Sequence, residues 1–296
     1  MIVTLGDSVC WGQGLIEEHK FDYLFAQARG LQFARVAHSG AVIGTSSDTW
    51  REVEPGEIPV GSPSIWQQML AYTGWSQVEL ILLNGGINDV SLTRILNPAT
   101  SSSHLEQLID QFCRQGMEDL LDATAAKLML PNAQIAVVGY YPILSNQSGG
   151  SEKQIQSLLE MHGVATTSVI AADEFSKSNL IPAVVNNCLM FWNGSNVALQ
   201  AAVDATNAKL GRPVCRFVKL PFTEQNAMWA PQSLLWELTP LLLPEDEVSG
   251  PRGQVCEALY GDVVHISQWV QCVRASAGHP RVEGAVTIAA TLSSVL

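Results

Sequence analysis

Five short and nearly unbroken apolar runs, at residues 2–5, 33–37, 78–83, 135–141 and 214–220, constrain this 296-residue chain more than any other feature. A strand with one wet face alternates apolar and polar residues. A run that is apolar at every position buries both faces, as in a parallel sheet covered by helices on either side. The intervals between runs are long enough for the crossover helices that parallel neighbours need. After the third run, Leu105, Leu108, Ile109, Phe112, Met117, Leu120 and Leu121 recur at helical spacing, with Ser103 and Glu106 at capping-box spacing before them and Pro131 beyond. This alternation predicts a doubly wound α/β domain. Two stretches depart from the rhythm: a largely helical insertion at about 145–211 and an irregular, Pro- and Trp-containing excursion at about 222–252. Both read as elaborations of one domain spanning residues 1–296, of the kind that build lids and pocket walls.

Apolar residues make up 47% of the chain and charged residues 15%, which excludes a disordered protein. A net charge of -12, with no Lys/Arg-rich run to offset it, argues against nucleic acid and anionic lipid as partners. No apolar run approaches the length that spans a bilayer, so integral membrane association is not expected. The cysteines (Cys10, Cys113, Cys188, Cys215, Cys256 and Cys272) are scattered without paired spacing, the usage of reduced and buried thiols. With no leader-like start, this predicts a cytoplasmic protein, a reading that a secreted chain trimmed of its leader would share. His19, His38, His104 and His162 have no metal-ligand spacing with one another or with cysteine, so no metal is expected.

In an open parallel sheet, ligands bind beyond the carboxyl ends of the strands. Gly6-Asp7-Ser8 follows the first run, His38-Ser39-Gly40-Ala41 the second, and Asn84-Gly85-Gly86-Ile87-Asn88-Asp89 the third. Near the C-terminus, Gly278-His279-Pro280 precedes a final amphipathic helix at 282–296. A serine after a strand is ordinarily a turn or N-cap residue. The other segments, however, hold what a nucleophile at Ser8 would need. Acyl transfer requires a hydroxyl, a base for its proton, and donors for the developing oxyanion. Ser8 can supply the first and His279 the second, while the backbone N–H groups of Ser8 and Gly40 and the side-chain amide of Asn88 can supply the third. Asp7 reads as a structural brace or cap, Asp89 as a possible cap, and Cys10 as a buried thiol.

These four blocks, in this order, resemble those of the SGNH hydrolases, also called GDSL esterases and lipases. The resemblance runs from Gly6 to His279 and includes the helix entry at His279-Pro280. It implies a three-layer α/β/α sandwich with a parallel, flavodoxin-like sheet. It also implies hydrolysis of carboxylic esters (short-chain acyl esters, lipids or acetylated sugars) without cofactor or metal, with a small-molecule ester as the partner. Ser8 would be the nucleophile, His279 the base, and Ser8, Gly40 and Asn88 the oxyanion donors. The insertion after Ser145 suggests a partly covered pocket favouring small acyl groups.

One position departs from the family pattern. Ser276 stands three residues before His279, where the family usually has an aspartate that orients the histidine. Another acid such as Asp262, a backbone carbonyl, or an unassisted dyad are the alternatives. Asp262-Val263-Val264-His265 has the missing Asp-x-x-His spacing and makes His265 a rival base, although no proline follows it. Two other function classes are a non-catalytic binder, favoured only by Ser276, and a nucleotide-binding module. The latter is disfavoured because Gly12-Gln13-Gly14 lacks the third glycine of the dinucleotide fingerprint and no phosphate-loop lysine motif is present.

Overall fold

Each of the five apolar runs carries a strand in the computed structural model of the protein, which describes residues 1–48, 62–164 and 177–296. They are β1 (Ile2–Leu5), β2 (Phe33–Arg35), β3 (Leu80–Leu83), β4 (Gln134–Val138) and β5 (Cys215–Val218). All pair in parallel, in the order β2-β1-β3-β4-β5. Ile2 lies opposite both Phe33 and Leu80, and Ile135 opposite Cys215. Every residue of β1 and β3 is buried, as runs without a polar face require. The order is the flavodoxin-like one, whose reversal beside β1 opens a crevice at the carboxyl ends of β1 and β3.

Among the described residues, the α-helices are α1 (Ser8–Trp11), α2 (Phe21–Arg29), α3 (Ile65–Ala71), α4 (Ile87–Val90), α5 (Leu92–Leu96), α6 (Ser102–Ile109), α7 (Met117–Ala125), α8 (Glu152–Met161), α9 (Lys177–Leu210), α10 (Ser249–Tyr260), α11 (Ile266–Val273) and α12 (Val282–Val295). Helices α2 and α12 pack together, while α9 packs against α6, α7 and β5, giving helices on both sides of the sheet. The 145–211 stretch therefore contains the crossover from β4 to β5, with Phe191, Leu199, Ala202 and Val203 of α9 in the core. Its residues 165–176 lie outside the described set. Helix α6 begins two residues earlier than the capping-box spacing predicts. Ser101, not Ser103, is the cap, its Oγ accepting the His104 N–H at 3.3 Å. A π-helical turn, Asp110–Gly116, joins α6 to α7.

The reading of all six cysteines as reduced thiols is corrected at two positions. Cys256 of α10 and Cys272 of α11 form a disulfide, whereas Cys10, Cys113, Cys188 and Cys215 are free and buried. The two helices form a hairpin whose small separate core comprises the disulfide with Val255, Tyr260, Trp269 and Val273 around it. So little apolar area holds a hairpin weakly, and a cross-link compensates for that. A separation of 16 residues gave no spacing signal. Among the described residues, no helix is long and apolar enough to cross a membrane.

Candidate active site

The first strand delivers Ser8 to the crevice through a tightly held turn. Gly6 exchanges hydrogen bonds with the side chain of Gln68, donating its N–H at 2.8 Å and accepting from the amide at 3.0 Å. Asp7 then caps α1, its carboxylate accepting the Val9 N–H at 2.9 Å, so that Ser8 becomes the first helical residue. The other Asp7 oxygen accepts the Tyr140 hydroxyl at 2.8 Å, and that hydroxyl accepts the Ile87 N–H at 3.0 Å. Tyr140 thus fastens the Ser8 turn to the start of α4. It lies one residue before the end of the fourth apolar run, and nothing in that run distinguishes it from a core aromatic. Burial raises the Asp7 carboxyl to about 6 despite those two donors, with the nearby Asp89 adding to the rise. Asp7 is a brace, as the residue pattern suggests.

His279 reaches Ser8 from the far end of the chain. Its Nε2 lies 2.7 Å from Ser8 Oγ. The backbone around it is clamped: Trp236 donates its N–H to the His279 carbonyl at 2.8 Å, and Gly278 donates to the Trp236 carbonyl at 2.9 Å. On the other side of the ring, Nδ1 lies 3.2 Å from the Ser276 carbonyl. A carbonyl can only accept, so this contact puts the ring proton on Nδ1 and leaves the Nε2 lone pair for the serine hydroxyl. Burial lowers the imidazole to about 4; the Ser276 carbonyl opposes that fall and the Arg252 charge adds to it.

A backbone carbonyl thus occupies the orienting position, and Asp262 does not. The Asp262 carboxylate binds the His265 ring at 2.7 Å and the N–H groups of Val264 and His265, on an exposed turn before α11. Asp-x-x-His spacing is satisfied there by a local surface pair, which removes both Asp262 as orienting acid and His265 as rival base.

Gly40 and Asn88 come together after β2 and β3. Ala41 donates its N–H to the His38 carbonyl at 3.2 Å, closing a turn in which Gly40 has φ +80, a value that favours glycine. The Asn88 amide donates one N–H to the Ala41 carbonyl at 3.0 Å, which leaves its second for a ligand. Asp89, rather than capping a helix, accepts the Ile43 N–H at 2.9 Å. Burial raises its carboxyl to about 6. Adjacent side chains therefore hold one loop in place.

Ser8, Gly40, Asn88 and His279 all line one cavity of 310 Å³. Leu92, Leu96, Ile143, Leu158 and Met161 also line it. His162, at the end of α8, also lines it; burial takes that imidazole down to about 4, with the His279 charge contributing. Cys10 is fully buried, and desolvation pushes its thiol well above the ordinary range.

No family model matches the chain, and no curated protein matches it in sequence. Among solved structures, it is similar to an active site mutant of a family two carbohydrate esterase from Clostridium thermocellum, with 11% identity and a TM-score of 0.46, covering 99% of this chain and 62% of that one. A carbohydrate esterase family 2 enzyme from Corynascus thermopiles (Myceliophthora fergusii) gives 17% identity and a TM-score of 0.37, covering 75% of this chain and 56% of that one. An acetyl xylan esterase from the rumen bacterium Butyrivibrio proteoclasticus gives 16% and 0.38, covering 75% and 55%. This chain thus spans 62% or less of the length of each of these proteins.

Proposed function

We propose that this chain is a serine-dependent carboxylic-ester hydrolase of the SGNH type. The observation that carries the reading is the 2.7 Å contact between Ser8 Oγ and His279 Nε2, two residues that line one largely apolar cavity. Ser8 Oγ attacks the acyl carbonyl carbon as its proton passes to Nε2. The Ser276 carbonyl holds Nδ1–H and so favours the imidazolium. The new oxyanion accepts from the Ser8 and Gly40 N–H groups and the second N–H of Asn88. Nε2 then returns its proton to the departing alkoxide, leaving Ser8 acylated. A water, deprotonated by the same nitrogen, repeats the attack and frees the acid.

The apolar wall supports an acyl chain of several carbons rather than the small acyl group suggested by the insertion. Against p-nitrophenyl esters of increasing length, kcat/KM is expected to rise about fourfold per methylene until the cavity is filled. An acetyl ester as the best substrate would contradict this and would favour acetylated carbohydrate, the substrate type in the name of the acetyl xylan esterase. The disulfide favours an oxidising compartment over the cytoplasm. The nucleotide reading loses support because a Cβ at Gly12 would meet Lys20 at 2.7 Å and one at Gly14 would meet Ser276 at 2.7 Å; both glycines face protein.

The low-lying imidazole sets the pH dependence. His279 acts as a base only when neutral, so activity is present above its pKa and lost as pH falls through it. The acid limb of kcat/KM is expected to be half-maximal at about 4, not at the ordinary 6.5. Steady-state rates alongside circular dichroism at each pH check this; a limb near 6.5 in folded protein would contradict the buried base.

A further inference from the structure

We propose that Asp246 is the positioning acid for His279, acting through Ser276, the residue that stands where the carboxylate would otherwise be. The proposal rests on the esterase reading for its kinetic readout and on geometry for its origin. Ser276 and Asp246 are both buried, and the Ser276 hydroxyl donates to Asp246 Oδ2 at 2.5 Å. The same residue's carbonyl faces His279, accepting its backbone N–H at 2.9 Å and lying 3.2 Å from ring Nδ1. Fixing the Ser276 side chain therefore fixes the carbonyl that orients the base. Asp246 is itself immobilised: Arg252 Nη1 donates to Oδ1 at 3.0 Å, Nη2 pairs with Oδ2, and the Val248 N–H donates to Oδ1 at 3.1 Å. Arg252 Nη2 also reaches the Val273 carbonyl at 3.3 Å, tying α10 to the end of α11.

The neighbouring residue anchors the other half of the site. Glu247 donates its N–H to the Gly14 carbonyl at 3.1 Å, accepts the Ile16 N–H at 3.2 Å, and contacts His19 Nδ1 at 2.6 Å. Gly14 belongs to the loop that follows the nucleophile helix, and any side chain there would collide with Ser276 and Trp236. One dipeptide, Asp246-Glu247, is thus bonded to the loop behind Ser8 and to the residue behind His279. A buried ion pair adds little net stability, so its value here lies in registering base against nucleophile.

Among the described residues, the charged and titratable groups that act on the ring include His162, which lines the same cavity, and Asp246 and Arg252 behind Ser276. Removing the Asp246 charge leaves Arg252 unbalanced, which disfavours the imidazolium; removing Arg252 does the reverse.

The test compares wild type with Ser276→Ala, Asp246→Asn and Arg252→Met, each checked for folding by circular dichroism. Ser276→Ala leaves the ion pair intact and so guards against a variant that fails to fold. Ser276→Ala and Asp246→Asn are each expected to lower kcat about 10- to 100-fold with KM little changed, the scale of a misplaced base. The acid limb is expected to move down in Asp246→Asn and up in Arg252→Met. Nitrogen-15 NMR of the His279 ring supplies a readout independent of turnover: a dominant Nδ1–H tautomer in wild type, and a tautomer mixture in Ser276→Ala. Wild-type kcat or an unchanged tautomer in folded Ser276→Ala, or an unmoved limb in folded Asp246→Asn and Arg252→Met, would overturn the proposal. A wild type that hydrolyses no ester yet shows the tautomer change would overturn the esterase reading and leave the positioning role standing.

Discussion

Replacing Ser8 or His279 with alanine is expected to lower kcat by about 10⁶-fold in either case, and the double variant should be no slower than the worse single one. The two side chains form a single device. The hydroxyl 2.7 Å from Nε2 is a poor nucleophile without a base, and the imidazole has no proton to accept without the hydroxyl. What survives comes from substrate binding and the oxyanion donors, which account for roughly 10³- to 10⁴-fold over water. Steady-state rates on a p-nitrophenyl ester of intermediate length measure all three variants. Losses that multiply in the double variant would mean that Ser8 and His279 act independently, contrary to the 2.7 Å contact. A Ser8→Ala protein that keeps its rate would move the chemistry elsewhere.

Asn88→Ala is expected to lower kcat by about 10²- to 10³-fold, with KM little affected, because an oxyanion donor acts on the transition state and not on the bound ester. The side chain also holds the Ala41 carbonyl at 3.0 Å, so part of the loss reflects a loosened Gly40 loop. Asn88→Asp separates the two effects. A carboxylate cannot donate to Ala41 or to the oxyanion, and it adds a negative charge beside the one that develops. Its kcat should therefore fall below that of Asn88→Ala. An aspartate variant as active as the alanine variant would show that the amide acts on the loop alone.

The sheet was legible because a doubly covered strand must be apolar along its length, and runs such as 2–5 and 78–83 have no other simple use. Its ends were less so: Ala37 and Tyr141 belong to apolar runs but lie beyond the strands. The four site blocks were readable because each sits at a strand end or helix entry, where local residue types carry the signal. What stayed hidden depends on distant pairing. Asp246 meets Ser276 across 30 residues, Tyr140 meets Asp7 across 133, and Cys256 finds Cys272 across a hairpin turn. None of these partners has a spacing that short-range rules can read. Asp262 shows the converse: its spacing to His265 was the expected one, and the pair it makes is an exposed surface contact.

Covalent labelling with a fluorophosphonate, followed by peptide mass spectrometry, tests whether Ser8 is a nucleophile activated by His279. One adduct per chain is expected, on Ser8, absent in Ser8→Ala and much slower to form in His279→Ala. An adduct on another residue, or ester turnover by a protein that takes up no label at Ser8, would contradict it.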